Sequence, residues 1–120
     1  MHVRVLVVED SAAVRARVVD LLRESGHEVI GEAATTNVAL QLQRTLHPEA
    51  IVLDLQLLDG NGMEILPVLK SHYPPPVVVV LTNSAQAECR RRCLFLGADY
   101  FFDKSHDFDS VADALARHAA

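Results

Sequence analysis

Val3-Arg4-Val5-Leu6-Val7-Val8 runs directly into Glu9-Asp10-Ser11, and this junction decides the fold. The run is short, rich in β-branched residues and nearly all apolar, as a strand buried on both faces of a parallel sheet must be. Two carboxylates end it. Ala50-Ile51-Val52-Leu53 is a second run of the same kind, and Val77-Val78-Val79-Val80-Leu81 is a third. The third follows Pro74-Pro75-Pro76, which hold the chain extended on approach. Weaker strands are predicted from His27 to Ala33 and from Ala98 to Phe102.

Between these runs the apolar period lengthens from two to about 3.6. Val14, Val18, Leu21 and Leu22 share one helical face behind a candidate cap at Ser11, and Ala39, Leu42 and Leu46 share another behind Thr35 and Thr36. A third helix carries Ile65, Leu66 and Leu69, with Pro67 expected in its first turn, where no N–H is needed. A fourth carries Ala85, Cys89, Cys93 and Leu96 and stops at Gly97, and a fifth spans Phe108 to His118 through Val111 and Leu115. Five strands alternating with five helices imply an α/β doubly wound parallel sheet covered on both faces. Ligands of such sheets bind outside the carboxyl ends of the strands, where the strand order reverses.

The 120 residues, half of them apolar, suit one domain over 1–120 and leave no room for a second. The formal charge is −5 and the basic residues are dispersed, which excludes the concentrated positive surface of a nucleic-acid binder. No apolar stretch is long enough for a membrane span and the start lacks the pattern of a signal peptide, so a cytoplasmic chain without membrane or nucleic-acid partners is expected. Cys89 and Cys93, four apart in a helix, read as buried or half-buried thiols rather than a disulfide.

Four strand ends carry groups suited to phosphoryl transfer: Glu9 and Asp10, Asp54, Thr82 and Asn83, and, shortly after the fifth strand, Lys104. Three carboxylates against one ammonium leave about two charges uncompensated, which a divalent cation would balance. Mg²⁺ fits best, as a hard ion that takes oxygen ligands and sits beside phosphate. Asp54, ending a central rigid strand, is the candidate nucleophile, with Lys104 and Thr82 placed to hold phosphoryl oxygens.

Taken together, Val7-Val8-Glu9-Asp10-Ser11, Leu53-Asp54-Leu55-Gln56-Leu57 with Gly62 eight residues past the aspartate, Leu81-Thr82-Asn83-Ser84 and Gly97-Ala98-Asp99-Tyr100-Phe101-Phe102-Asp103-Lys104 resemble the receiver domain of two-component response regulators, of the free-standing chemotaxis type. The resemblance covers essentially the whole chain. It implies a flavodoxin-like (βα)5 fold with strand order 2-1-3-4-5. It further implies a signalling switch that catalyses only its own phosphorylation and dephosphorylation, with Asp54 as phosphoacceptor. Asp10 and Asp54 would bind Mg²⁺ directly, Glu9 mainly through water, and Gln56 by its carbonyl. Thr82 and Lys104 would hold phosphoryl oxygens, Phe101 would turn inward as the aromatic switch, and Gln56 and Ser84 would flank the attacking water and set phosphoryl lifetime. The implied partners are a sensor histidine kinase or histidine phosphotransfer protein and an output protein received on helix four, strand five and helix five. A monomer or weak phosphorylation-dependent dimer is expected.

The sequence departs from the family pattern in two places. Ser105 follows Lys104 where a proline, often cis, is usual; a non-proline cis bond costs roughly 3 to 4 kcal/mol, so a trans peptide and a rearranged loop are expected. Leu58 replaces another common proline, and Asp59-Gly60-Asn61-Gly62 reads as a flexible turn.

Blander readings compete residue by residue. Glu9 and Asp10 also suit a helix cap, Phe101 a core position, and Arg90, Arg91 and Arg92 a solvated helix face or an anionic partner's patch. The six histidines lack metal spacing. An aspartyl-phosphate hydrolase would show Asp-x-Asp after the first strand, and a flavodoxin-like cofactor binder a Gly-, Ser- or Thr-rich loop there; Asp10-Ser11-Ala12-Ala13 is neither.

Overall fold

Stretches of alternating side chains, apolar on both faces, lay down the central sheet. In the computed structural model, which describes residues 2–118, its strands are β1 (Arg4–Val8), β2 (Glu28–Ala33), β3 (Ala50–Leu53), β4 (Val77–Thr82) and β5 (Tyr100–Asp103). They lie parallel in the order β2-β1-β3-β4-β5, the predicted doubly wound topology. Helices α1 (Ala12–Glu24), α2 (Thr36–Leu46), α3 (Gly62–Lys70), α4 (Ala87–Phe95) and α5 (Ser110–Ala116) make the crossovers.

The strands' period of two divides the core into two layers. Leu6, Val8, Ile51, Leu53, Val78, Val80 and Phe101 face α2, α3 and α4, and pack on Ala39, Leu66, Leu69 and Cys93. Val5, Val7, Val52, Val79 and Leu81 face α1 and α5, and pack on Val18, Leu22, Val111 and Leu115. A fully buried leucine such as Leu66 contributes about 2 to 3 kcal/mol through removal of apolar surface from water.

Helix ends follow from their local chemistry. Ser11 and Thr35 cap α1 and α2 by accepting from Val14 N and Val38 N. Gly97 at φ +114° ends α4: Ala98 N donates to Cys93 O at 3.0 Å and Gly97 N to Leu94 O at 3.2 Å, a Schellman arrangement that needs the left-handed glycine. Cys89 and Cys93 are free thiols, and burial pushes Cys93 up to about 12.

Several expectations are corrected. Pro67 is the sixth residue of α3, not in its first turn; the helix begins early because Asn61 and Glu64 form a capping box, and it forgoes one backbone bond at Pro67. Helix α4 begins at Ala87, leaving Ala85 in the preceding loop against the core. Helix α5 is shorter than predicted because the preceding residues are drawn into a polar turn. The stretch read as a flexible turn is instead ordered: Gln56–Leu57 and Gly60–Asn61 pair as a two-residue antiparallel ribbon. No described helix is long and apolar enough to cross a membrane.

Candidate functional site

The sheet's hydrogen bonding continues one step past the strands, and that step places the reactive groups. Glu9 N donates to Ala33 O at 2.9 Å, Asp54 N to Val8 O at 2.9 Å and Lys104 N to Thr82 O at 3.1 Å. Each functional residue thus leaves the sheet from a fixed backbone. Tight packing below Asp54 fixes it further: a Cβ added to Gly62 would stand 2.3 Å from Asp54 O, so only glycine lets α3 begin there.

Glu9, Asp54 and Thr82 are buried, and Asp10 is partly exposed. Carboxylate oxygens of Glu9, Asp10 and Asp54 all lie within 4.8 Å of one another. Lys104 Nζ reaches Glu9 Oε1 at 2.6 Å and Asp54 Oδ2 at 3.2 Å. Ser11 N donates to Glu9 Oε2 at 3.0 Å, and Gln56 N to Asp54 Oδ1 at 3.4 Å.

These distances leave the site short of positive charge. Burial pushes Glu9 up to about 7, aided by its hydrogen bond with Asp10 and the charge of Asp54, and opposed by Lys104 and Ser11 N–H. The hydrogen bond from Glu9 holds Asp10 below the usual carboxylate range. Burial pulls the Lys104 ammonium down, but its bond to Glu9 and the charges of Asp54 and Glu9 outweigh this and leave it raised. A buried carboxyl held above its usual range beside two others makes a cluster that a cation would stabilise. Three oxygen donors at this spacing suit a hard divalent ion, so the residues fit the expected Mg²⁺.

The remaining predicted residues surround this cluster. Thr82 Oγ1 accepts from Ser84 N at 3.1 Å, leaving its O–H free to donate. Gln56 is exposed at the mouth, and its Nε2 donates to Ser84 Oγ at 3.4 Å. Phe101 is only 5% exposed, so its ring already occupies the inward position to which it was expected to turn. Arg90 lies over that ring, 5.9 Å from its centroid, and donates to Phe101 O at 3.1 Å, so it is not simply solvated.

The peptide after Lys104 is trans, as expected, and Lys104 is well held. The one cis peptide among the described residues is Tyr73–Pro74, so Lys104–Ser105 is trans. Asp103 Oδ1 accepts from Ser105 N at 2.8 Å, Asp107 Oδ2 from Asp103 N at 3.1 Å, and Asp103 O from Asp107 N at 2.8 Å. Two aspartates brace the turn where the family has a proline.

Sequence reasoning missed Arg15 and Asp59. Arg15 Nη1 donates to Glu9 O at 2.7 Å while its Nε pairs with Glu32 at 3.2 Å, so a half-buried guanidinium grips the backbone that carries the acidic pair. No spacing rule signals a side chain that bonds a carbonyl in another element. Asp59 crosses from the ribbon to α2. Its position in a turn-forming stretch masked that role.

Comparisons agree with this geometry. The response regulator receiver domain family matches residues 5–116. A protein-glutamate methylesterase/protein-glutamine glutaminase of Caulobacter vibrioides is 36% identical over 120 residues, covering 98% of this chain and 35% of that protein. The chain spans about a third to about half the length of the first curated relatives it matches. The signal receiver domain of NarL from Mycobacterium tuberculosis superposes with a TM-score of 0.88 at 26% identity, covering 98% of this chain and 95% of that one. A Burkholderia pseudomallei response regulator with a phosphorylated aspartic acid, calcium ion and citrate superposes with a TM-score of 0.84 at 26% identity, covering 93% and 65%. With the five-stranded order and the acidic strand ends in place, the chain belongs to the receiver domain family of two-component response regulators.

Proposed function

We propose that this receiver takes a phosphoryl group from a phosphohistidine donor onto Asp54, with Mg²⁺ held by Asp10, Asp54, the Gln56 carbonyl and, through water, Glu9. The observation that carries the reading is the buried, charge-unbalanced cluster of Glu9, Asp10 and Asp54 under Lys104. The phosphorylated aspartic acid and calcium ion of the Burkholderia pseudomallei relative support it. When bound, the divalent ion supplies charge neutralisation for the carboxylates and phosphoryl oxygens.

An oxygen of Asp54 attacks phosphorus in line, the P–N bond to the donor imidazole breaks, and its electron pair returns to the nitrogen, which takes up a proton. The product is an acyl phosphate. Lys104, now bound to Asp54 Oδ2, shifts to a phosphoryl oxygen, and Thr82 donates its O–H to another. That bond draws the Thr82–Ser84 turn inward and holds Phe101 in its inward place under Arg90, which fixes the face of α4, β5 and α5 for an output protein. Switching thus consists in holding the ring rather than moving it inward.

Release occurs when water attacks phosphorus, and Gln56 and Ser84 flank its path. Gln56→Ala slows loss of the phosphoryl group if Gln56 orients that water. The donor is a sensor histidine kinase or phosphotransfer protein, and the chain works in the cytoplasm as a switch rather than as an enzyme on other substrates.

Incubation with Mg²⁺ and acetyl phosphate followed by intact mass tests the proposal. One phosphate adduct is expected, absent with EDTA and in Asp54→Ala; no adduct, or one that survives Asp54→Ala, overturns it.

A further inference from the structure

The ribbon that carries Gln56 is short and is anchored in the core through Leu57 alone. It is two residues on each side, with Leu58 and Asp59 at its tip, and both Gln56 and Asp59 are exposed. A pair this short does not hold itself in water. The tip, however, is fastened to another element. Asp59 Oδ1 accepts from Thr36 N at 2.6 Å, and Asp59 Oδ2 accepts from Thr36 Oγ1 at 2.8 Å and from Asn37 N at 3.2 Å. Leu58 N also donates to Ala34 O at 3.4 Å. The Thr36 and Asn37 N–H groups lack partners inside α2, and a carboxylate there is further favoured by the helix dipole.

The base of the ribbon is equally fixed. Gly62 N donates to Leu55 O at 2.7 Å, and Asn61 begins α3 through its capping box. With base and tip both secured, Gln56 can point its N–H at Asp54 Oδ1 and its side chain at Ser84. Without the Asp59 contact the strand would keep Leu57 in the core and the Leu58 N bond to Ala34 O, but would lose its three polar fastenings to α2.

We infer that Asp59 is a positioning residue: by binding the N-terminus of α2 it holds the ribbon so that Gln56 presents its backbone to Asp54 and its side-chain amide to Ser84. This rests on the proposed role of Gln56 beside Asp54. A side chain that orients a ligand from one layer further out typically matters 10- to 100-fold to the metal affinity of its site.

The alternative is that Asp59 merely caps α2. Thr35 separates the two, because its hydroxyl caps the same helix through Val38 N at 3.1 Å rather than bonding the ribbon. The experiment compares wild type, Asp59→Ala, Asp59→Asn and Thr35→Ala in the full chain, with far-UV circular dichroism confirming that each is folded. Mg²⁺ affinity is read by NMR titration of backbone amides, and phosphoryl lifetime by intact mass after acetyl phosphate is removed.

Asp59→Ala is expected to weaken Mg²⁺ binding about tenfold, to change the phosphoryl lifetime, and to accelerate hydrogen exchange at the Gln56 and Leu58 amides. Asp59→Asn, which keeps one acceptor oxygen, falls between it and wild type, and Thr35→Ala leaves Mg²⁺ affinity and lifetime unchanged. Equal effects of Asp59→Ala and Thr35→Ala, or wild-type affinity and lifetime in Asp59→Ala, overturn the inference. If wild type itself binds no Mg²⁺ and forms no adduct on Asp54, the functional reading fails instead, and ribbon exchange alone then shows whether Asp59 holds the loop.

Discussion

The two ends of the sheet are built from the same strands and treat polar groups in opposite ways. At the amino end, Arg4 donates to Leu46 O at 2.8 Å and His47 O at 3.0 Å, and Lys70 reaches both Pro76 O and Asp99 at 2.7 Å. His27, buried between β1 and α5, accepts from Val3 N at 3.1 Å, and its Nε2 lies 3.2 Å from Ala112 O; the tautomer with its proton on Nε2 satisfies both. Among the described residues, only Gln43 Oε1 at this end is buried without a partner. At the carboxyl end, three carboxylates crowd one lysine and Glu9 titrates near neutrality. One end closes the fold. The other stores an imbalance that a cation and a phosphoryl group would relieve, and such local conflict is expected where function resides.

The strongest way to break this contrast is to remove the lysine that pairs with the Glu9 and Asp54 carboxylates. Lys104→Ala leaves Glu9 and Asp54 buried without a counter-charge, and should cost about 3 kcal/mol in urea unfolding at neutral pH with EDTA present. Added Mg²⁺ should recover part of that loss. An unchanged unfolding midpoint would mean the carboxylates are not strained.

A pH series probes the same imbalance without mutation. Glu9, raised to about 7 in the folded state from 4.5, binds more protons folded than unfolded between those values, so stability must fall as pH rises through that window. The metal-free chain should lose on the order of 3 kcal/mol from this group across that window. Glu9→Gln should flatten the profile; equal slopes in both proteins would place the titration elsewhere.

The contrast also explains what could be read in the sequence. Strands β1, β3 and β4 were legible because continuous β-branched runs have few other uses, and Glu9, Asp10, Asp54, Thr82 and Lys104 were legible because strand ends follow from strands. What escaped were polar contacts that depend on how loops and helix starts are oriented: Asp59 on α2, 23 residues away, and, close in sequence, Arg15 on Glu9 O and Asp103 with Asp107. Pro67 was misplaced because the start of α3 depends on the fit of Gly62 against Asp54 O, which no local propensity encodes.

At the amino end the expected effect is structural alone. His27→Ala removes the group that joins Val3 N–H to Ala112 C=O; the carbonyl keeps its place in the α5 ladder, but Val3 N–H is left buried without a partner, at a cost of about 2 kcal/mol. The folded fraction should still form the Asp54 adduct at the wild-type rate. A slowed rate in folded protein would show that the two ends are coupled.

The smallest effect has the opposite sign. Asp10 is the most exposed of the three carboxylates, and its hydrogen bond is one of the causes that raise Glu9. Asp10→Asn removes a like charge from the cluster and should stabilise the metal-free chain by less than about 1 kcal/mol, since a partly exposed charge is well screened. With Mg²⁺ the order should reverse, because wild type gains binding free energy that the variant lacks. Thermal midpoints in EDTA and in Mg²⁺ measure both. Destabilisation by Asp10→Asn in EDTA would show that Asp10 supports the fold like the partnered groups at the amino end, and the division between the two ends would have to be redrawn one residue further out.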